Sequence, residues 1–302
     1  MIIVFGSLSV DFVTRVKRIP APGETVLGGV YEMIPGGKGA NQALAARRAG
    51  AEVAFIGAVG PDSFAEPAQA LMRADGVDLS GVIVAQAPTG AAFIAVDDKG
   101  ENAIVVASGA NAQARAGQLD ARALGPGDWM LLQRETPPAQ VEAAAARAKK
   151  AGAGVVLNLA PAGPPGADLL GLLDVLIVNE HEALTLGEAL GLTTQSPEDV
   201  ARHVDAHLHV ATIVTLGAAG AVAWANGVRD AAPAPAVSVV DTTGAGDTFV
   251  GAFGAALDRR LSFGDAMRQG LAAGSLACTR IGAQPGIPWR AEIEALVAAQ
   301  PK

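Results

Sequence analysis

Cysteine is almost missing from this 302-residue chain: Cys278 stands alone, so no internal disulfide can form, which fits a reducing cytoplasm. Basic charge is short as well. Twenty-two Lys and Arg residues against thirty Asp and Glu leave a net charge of −8. With no basic surplus to neutralise phosphates, nucleic acid is excluded as a general partner, although a local anion site is not. The opening MIIVFGSLSVDF lacks the basic segment and cleavage site of a secretion signal. No apolar run is long enough to span a bilayer, since the stretch from Val155 to Val178 is broken by Pro161, Pro164, Pro165, Asp168 and Asp174. The expectation is a soluble cytoplasmic protein with neither membrane nor nucleic-acid partners. Neither a G-x-S-x-G nor a plausible Ser–His pair occurs, which argues against acyl transfer.

Half of the residues are apolar, enough for a sizeable core. Short β-branched or apolar runs recur at Ile2–Phe5, Val53–Ile56, Trp129–Leu132, Val155–Leu159, Val175–Val178 and Ile213–Leu216. Between many of them lie Ala-rich stretches of helical length: Ala40–Ala49, Phe64–Ala74, Pro138–Lys150 and Pro197–Leu208. This alternation predicts an α/β fold built on a mainly parallel sheet. Pro138 suits the first turn of its helix, with Thr136 as its expected cap. Two segments, about 11–35 and 89–106, break the alternation. Each has turn residues between extended runs and no room for a crossover helix, so they are expected to form antiparallel strands outside the main sheet, as a small lid. With no repeat or composition shift to divide it, the chain is expected to form one unit over 1–302.

The most informative segment is Asp241-Thr242-Thr243-Gly244-Ala245-Gly246-Asp247, which follows an extended stretch and opens a helical one reaching to about Leu257. Glycines at a helix start let backbone N–H groups approach an anion, and the helix dipole favours negative charge there. A carboxylate at such a site repels phosphate unless it has a chemical task. A general base beside a transferring phosphoryl group is one. On glycine content alone, a glycine-rich turn with a capping aspartate explains the segment equally well. It is not a Walker P-loop, because no G-K-[ST] follows, and no G-x-G-x-x-G is present.

A second cluster, Gly36-Gly37-Lys38-Gly39-Ala40-Asn41-Gln42, joins the expected lid to a helix. Exposed backbone donors beside Lys38 and Asn41 supply the dense hydrogen bonding that a polyhydroxylated ligand requires. Asp11, just after the first strand, is placed to accept bonds from two neighbouring hydroxyls. The competing reading is an ordinary loop-to-helix turn with a solvated lysine.

The two motifs occur in this order about two hundred residues apart. Together GGKGANQA and DTTGAGDTF resemble the ribokinase (PfkB) family of carbohydrate kinases, and the similarity runs from Val4-Phe5-Gly6-Ser7 to Gly282-Ala283-Gln284-Pro285-Gly286-Ile287-Pro288-Trp289. The resemblance implies a central, mostly parallel sheet with helices on both faces and a β lid that often forms a homodimer interface. It implies ATP-dependent phosphorylation of a sugar's primary hydroxyl, with Asp247 as the base and the backbone from Gly244 through Ala245 and Gly246 to Asp247 as the anion hole. Ser9, Asp11, Gly37, Lys38, Asn41 and Glu135 correspond to the sugar-binding positions. Asn179 and Glu182 match an N-x-x-E motif that helps organise Mg²⁺ and phosphate, while Thr215, Gly217, Gly220, Gly246 and Leu271 fall at nucleotide-binding positions. A monovalent cation, K⁺, would lie beside Asp241, Thr243, Ala277, Arg280, Gly282 and Gly286, held largely by carbonyls.

Pro22-Gly23-Glu24-Thr25-Val26, the full GGKGANQA and GAQP-x-x-PW point within the family to D-ribose as the substrate and D-ribose 5-phosphate as the product. Ser9 stands where an asparagine is common, which leaves deoxyribose, a ketohexose or a nucleoside as alternatives. A non-catalytic sugar-binding protein is the reading from another class; it has no use for Asp247 at the anion site. Leu271 replaces a histidine found near the adenine in some members. His203, His207 and His209 read as a solvated helix face rather than a metal site, Cys278 as a small core residue, and Asp97-Asp98 as an exposed turn.

Overall fold

A computed structural model describes residues 1–121 and 124–300. Its strands are β1 (Ile2–Phe5), β2 (Ser9–Arg15), β3 (Tyr31–Gly36), β4 (Val53–Val59), β5 (Asp78–Val84), β6 (Gly90–Val96), β7 (Asn102–Ala107), β8 (Trp129–Leu132), β9 (Gly154–Asn158), β10 (Val175–Asn179), β11 (Ala211–Thr215), β12 (Ala221–Ala225) and β13 (Val228–Ala232). The helices are α1 (Lys38–Arg48), α2 (Ala65–Ala74), α3 (Pro138–Ala151), α4 (Ala167–Leu170), α5 (Glu180–Ala189), α6 (Pro197–Leu208), α7 (Ala245–Asp258), α8 (Phe263–Ala277), α9 (Ala283–Gly286) and α10 (Arg290–Ala298).

Nine strands form one sheet in the order β13-β12-β11-β10-β9-β8-β1-β4-β5. The run from β5 to β11 is parallel, and β12 and β13 add an antiparallel edge. The β12–β13 turn is Asn226-Gly227, both at positive φ, as a two-residue hairpin connection requires. Alternation along β1 sets the two cores. Ile2 and Val4 pack on one face with α1, α2, α7 and α8, whereas Ile3 and Phe5 pack on the other with α3, α5 and α6. This is the α/β architecture that the alternation of strand and helix patterns predicts.

Small residues bring two of these helices unusually close. A Cβ on Gly251 of α7 would stand 2.5 Å from the Ala45 Cβ of α1 and collide with the Gln42 carbonyl. The close approach sets the start of α1 against the start of α7, which positions the site.

The remaining strands form a separate sheet in the order β3-β2-β6-β7. The segments expected outside the main sheet supply it, but its pairing is mixed. Each segment is an antiparallel pair, and β2 joins β6 in parallel, so Asp11 lies opposite Ala92. Three aromatic contacts of Phe12 brace it: it stacks on Phe93 at 5.6 Å, meets Phe64 edge-on at 5.4 Å and lies tilted against Tyr31 at 6.0 Å.

Three local expectations are corrected. Pro138 does occupy the first turn of α3, but Thr136 does not cap it; the N-cap is Pro137, and the buried Thr136 hydroxyl has no partner. Cys278 lies just past α8, half-buried against a cavity rather than in the core. Asp97 is buried, its carboxylate accepting from the Lys99 and Glu101 amides across the tight β6–β7 turn. No described helix is long and apolar enough to cross a membrane.

Candidate active site

Ligands of open α/β sheets bind at the carboxyl ends of the parallel strands, and there the polar residues of this chain gather. Ser7 and Ser9 follow β1, Gln133 and Glu135 follow β8, and Asn158, Asn179 and Thr215 end β9, β10 and β11. Asp247 meets them from the first turn of α7 and Asn41 from that of α1.

Asp247 is only 7% exposed. Its two carboxylate oxygens accept separate amide donors: Asn41 Nδ2 at 2.9 Å to Oδ2 and Gln42 Nε2 at 3.0 Å to Oδ1. Burial pushes its pKa up, opposed by the Lys38 charge and by these amides, while Glu135 adds to the rise. Lys38 in turn is held firmly protonated, first by Asp247 and then by the other carboxylates, against the effect of burial. The base and the ammonium thus stabilise each other's charged forms in an enclosed site. The Asn41 Oδ1 is buried with no protein partner among the described residues, an unpaired acceptor beside the base.

Gly244 caps α7 in the left-handed region, φ 75°, packed against Ala283, whose Cβ would lie 2.8 Å from a Cβ added here. The Ala245 amide donates back to Thr242 O at 3.2 Å. The amides of Gly246 and Asp247 have no backbone acceptor among the described residues and are the first-turn donors left for an anion.

The sugar-side residues converge from three elements. Glu135 Oε2 accepts from the Ser7 hydroxyl at 2.6 Å and the Lys38 amide at 3.1 Å. Gly37 takes φ 91° and packs on the Leu8 backbone, which turns the chain sharply into α1. Ser9 donates to Asp11 Oδ1 at 3.0 Å. Burial raises the Asp11 pKa to about 6, with Glu135 and Asp247 adding to the rise and Ser9 and Lys38 opposing it.

Asn179 and Glu182 form a reciprocal cap at the start of α5. The Asn179 side chain accepts from the Glu182 amide, and Glu182 Oε2 accepts from the Asn179 amide, both at 2.8 Å. Glu182 Oε1 has no protein donor among the described residues. Burial raises the Glu182 pKa, and the bond from Asn179 partly offsets it. Both residues, with Lys38 and Asp247, line a cavity of about 150 Å³. Thr215 and Gly246 line it too, and they also border a second, largely apolar cavity of about 520 Å³. Gly217, Gly220 and Leu271 lie on that second cavity, together with Cys278 and an Ala234–Val237 wall.

The six residues of the expected monovalent-cation site also come together. Asp241 Oδ1 accepts from Thr243 N and Oγ1, and Oδ2 from Gly282 N. A Cβ on Gly286 would lie 3.2 Å from Ala277 O and 3.6 Å from Arg280 O, so carbonyl oxygens converge on that glycine. The Arg280 side chain points away to Glu292. By contrast, His203 and His207 stack on each other at 4.1 Å on α6, and no group of three candidate metal ligands occurs among the described residues.

Sequence reasoning missed Gln133 and Asn158, and it quoted Gln42 without a role. All three are buried beside Asp247 or its donors. The available signal was a polar residue closing each of two apolar strands, in WMLLQ and VVLN. The Ala234–Val237 wall carried no signal beyond its Ala-Pro alternation.

The model of the pfkB family of carbohydrate kinases matches residues 1–290. A ribokinase of Haemophilus influenzae is 41% identical over 96% of this chain and 95% of its own length. The crystal structure of a ribokinase from Thermotoga maritima superposes with a TM-score of 0.91 at 34% identity, covering 99% of both chains. The ribokinase of Arabidopsis thaliana, solved with ribose and ATP, gives 0.87 at 31% identity, again over 99% of both chains.

Proposed function

Because this chain belongs to the pfkB family of carbohydrate kinases, we propose that it transfers the γ-phosphoryl group of ATP to the primary hydroxyl of D-ribose, giving D-ribose 5-phosphate and ADP. The observation that carries this reading is the enclosed Asp247 carboxylate at the N-terminal end of α7, facing with Lys38 and Glu182 a small cavity that shares Thr215 and Gly246 with the larger apolar one. The full-length similarity to proteins named ribokinases gives the sugar.

In this mechanism Asp11, Lys38, Asn41 and Glu135, with Ser9 and Gly37, hold the sugar hydroxyls. Asp247 takes the proton of the reacting hydroxyl as that oxygen attacks the γ-phosphorus, and the bond to the ADP oxygen breaks on the opposite side. The Gly246 and Asp247 amides at the positive end of α7 stabilise charge on the transferring oxygens. The larger cavity receives adenine between Leu271 and the Ala234–Val237 wall, and Thr215, Gly217 and Gly220 border the phosphates.

Glu182, through its Oε1, and Asn179 would hold Mg²⁺ through its water shell, and the cation would supply charge neutralisation at the phosphates; such sparse protein ligation is what Mg²⁺ favours. K⁺ fits the all-oxygen set of Asp241, Thr243 and the carbonyls near Ala277, Arg280, Gly282 and Gly286. The small sheet acts as a lid on the sugar. Its exposed Tyr31, Phe93 and Val105, 53–67% accessible, favour a homodimer in which a second copy covers them.

The test is ADP release with Mg·ATP and K⁺ against D-ribose, 2-deoxyribose, fructose and a nucleoside. Turnover dependent on ribose, with at least tenfold lower kcat/KM on the others, is expected (about 1.4 kcal/mol). Preference for another of these substrates would contradict the choice of sugar and implicate Ser9. Binding of ribose without any ADP release would contradict the enzyme itself.

A further inference from the structure

Asp247 sits at the end of a chain of buried amides, of which Gln42 and Gln133 line neither of the two cavities. We propose that Gln133 and Gln42 form a relay that fixes the orientation of the Asp247 carboxylate, which makes them positioning residues for phosphoryl transfer. The proposal rests on the reading of Asp247 as the base.

The argument is one of amide polarity. Gln42 Nε2 lies 3.0 Å from Asp247 Oδ1 and 3.1 Å from Asn158 Oδ1, so its nitrogen faces two oxygens. A glutamine that turned over would present Oε1 to the base instead and repel it. Both ends of the chain prevent this. Gln133 Nε2 lies 2.6 Å from Gln42 Oε1 and demands an acceptor there. Asn158 Nδ2 is committed to Ile177 O at 3.3 Å, so Asn158 must show its oxygen to Gln42. In this arrangement every contact along the chain runs from an amide N–H to an oxygen.

Gln42 and Gln133 are fully buried and Asn158 is 8% exposed. Buried amides are costly where apolar side chains of equal size would pack as well, so stability alone does not account for the chain. The Gln133 Oε1 even lacks a partner of its own, and it occupies the space that a Cβ on Gly6 would fill. Gly6 therefore leaves room for Gln133, and through it the sequence of the first loop reaches the base.

The test uses Gln133→Met and Gln42→Met, which keep length and remove the amide, with Gln133→Leu as a second replacement should the first not fold. Single-turnover phosphoryl transfer is measured against pH, together with the ribose KM and the melting temperature. Gln133→Met, which touches neither substrate nor base, is expected to lower the transfer rate on the order of tenfold, part of what a general base contributes, with the ribose KM within about twofold. The acid limb of its pH profile moves to higher pH, because a Gln42 no longer held by Gln133 can turn its Nε2 donor away from Asp247, and a carboxylate that loses a donor is more easily protonated. The double variant is expected to be no slower than Gln42→Met alone, since the two residues act in series. Asp247→Asn is run in parallel. Transfer surviving in Asp247→Asn would overturn the reading of the base itself. Inactive Asp247→Asn beside a Gln133→Met of normal rate and acid limb would overturn the relay alone. So would rate losses that add in the double variant and follow the melting temperature without any pH shift.

Discussion

Asp11 carries its charge at a cost to the free protein, and replacing it with asparagine exposes that cost. Burial lifts its pKa from an ordinary 3.8 to about 6. At ~1.4 kcal/mol per tenfold change in acidity, keeping Asp11 ionised above pH 6 costs about 3 kcal/mol of folding stability. Relaxation and the remaining solvent contact reduce the measurable part to about 1–2 kcal/mol. The sign follows from proton binding. The folded carboxyl holds its proton more tightly than the unfolded one, so wild-type stability falls as pH rises from about 4 through about 6. Asparagine has no charge to bury and keeps an oxygen for the Ser9 hydroxyl. Asp11→Asn is therefore expected to equal wild type near pH 4 and exceed it by about 1–2 kcal/mol at pH 8, in urea melts followed by circular dichroism. The same variant loses a charged acceptor for the sugar, worth roughly 1.5–3 kcal/mol, and its ribose KM rises at least tenfold. A variant no more stable than wild type at pH 8, or a gain that is constant with pH, would refute the reasoning.

Two further predictions follow from local geometry. Gly244→Ala forces a side chain into the left-handed region against Ala283; stability should drop by about 1–2 kcal/mol, and kcat should fall more steeply than the melting temperature suggests as the Gly246 and Asp247 amides move. Ser9→Asn adds a second polar arm beside Asp11; the ribose KM should fall with kcat unchanged, and equal KM values would show that Ser9 does not set affinity.

Much of this was legible in the sequence because local chemistry and fold agreed. The strands Ile2–Phe5 and Trp129–Leu132 coincide with their apolar runs, and α6 coincides with Pro197–Leu208. The start of α7 follows directly from glycines at a helix opening. Parallel pairing of β2 with β6 was not legible, because it joins residues some eighty positions apart and no turn signal connects them. The Thr136 cap failed because Pro137 already provides the extended geometry of an N-cap, which leaves the hydroxyl buried and unused. Asp97 read as exposed because a turn aspartate ordinarily is; here it satisfies two amides instead of water. At the site, motif residues were legible singly, but their partners were not. Nothing in one dimension shows that Gln42 and Gln133 meet, since the contact depends on the space that Gly6 leaves for Gln133 and on neighbouring strands β1 and β8. The same holds for the hydrogen bond from Ser7 to Glu135.

The central claim, that Asp247 is the base of a phosphoryl transfer to a sugar, is tested most directly by Asp247→Asn, with ribose binding measured by calorimetry and turnover by ADP release. Asparagine keeps the size of the side chain and an oxygen for one of the two amide donors. The account predicts that ribose binding persists within about tenfold (about 1.4 kcal/mol), while kcat falls by at least about 10²–10⁴-fold. Turnover within tenfold of wild type, with ribose still bound, would contradict it.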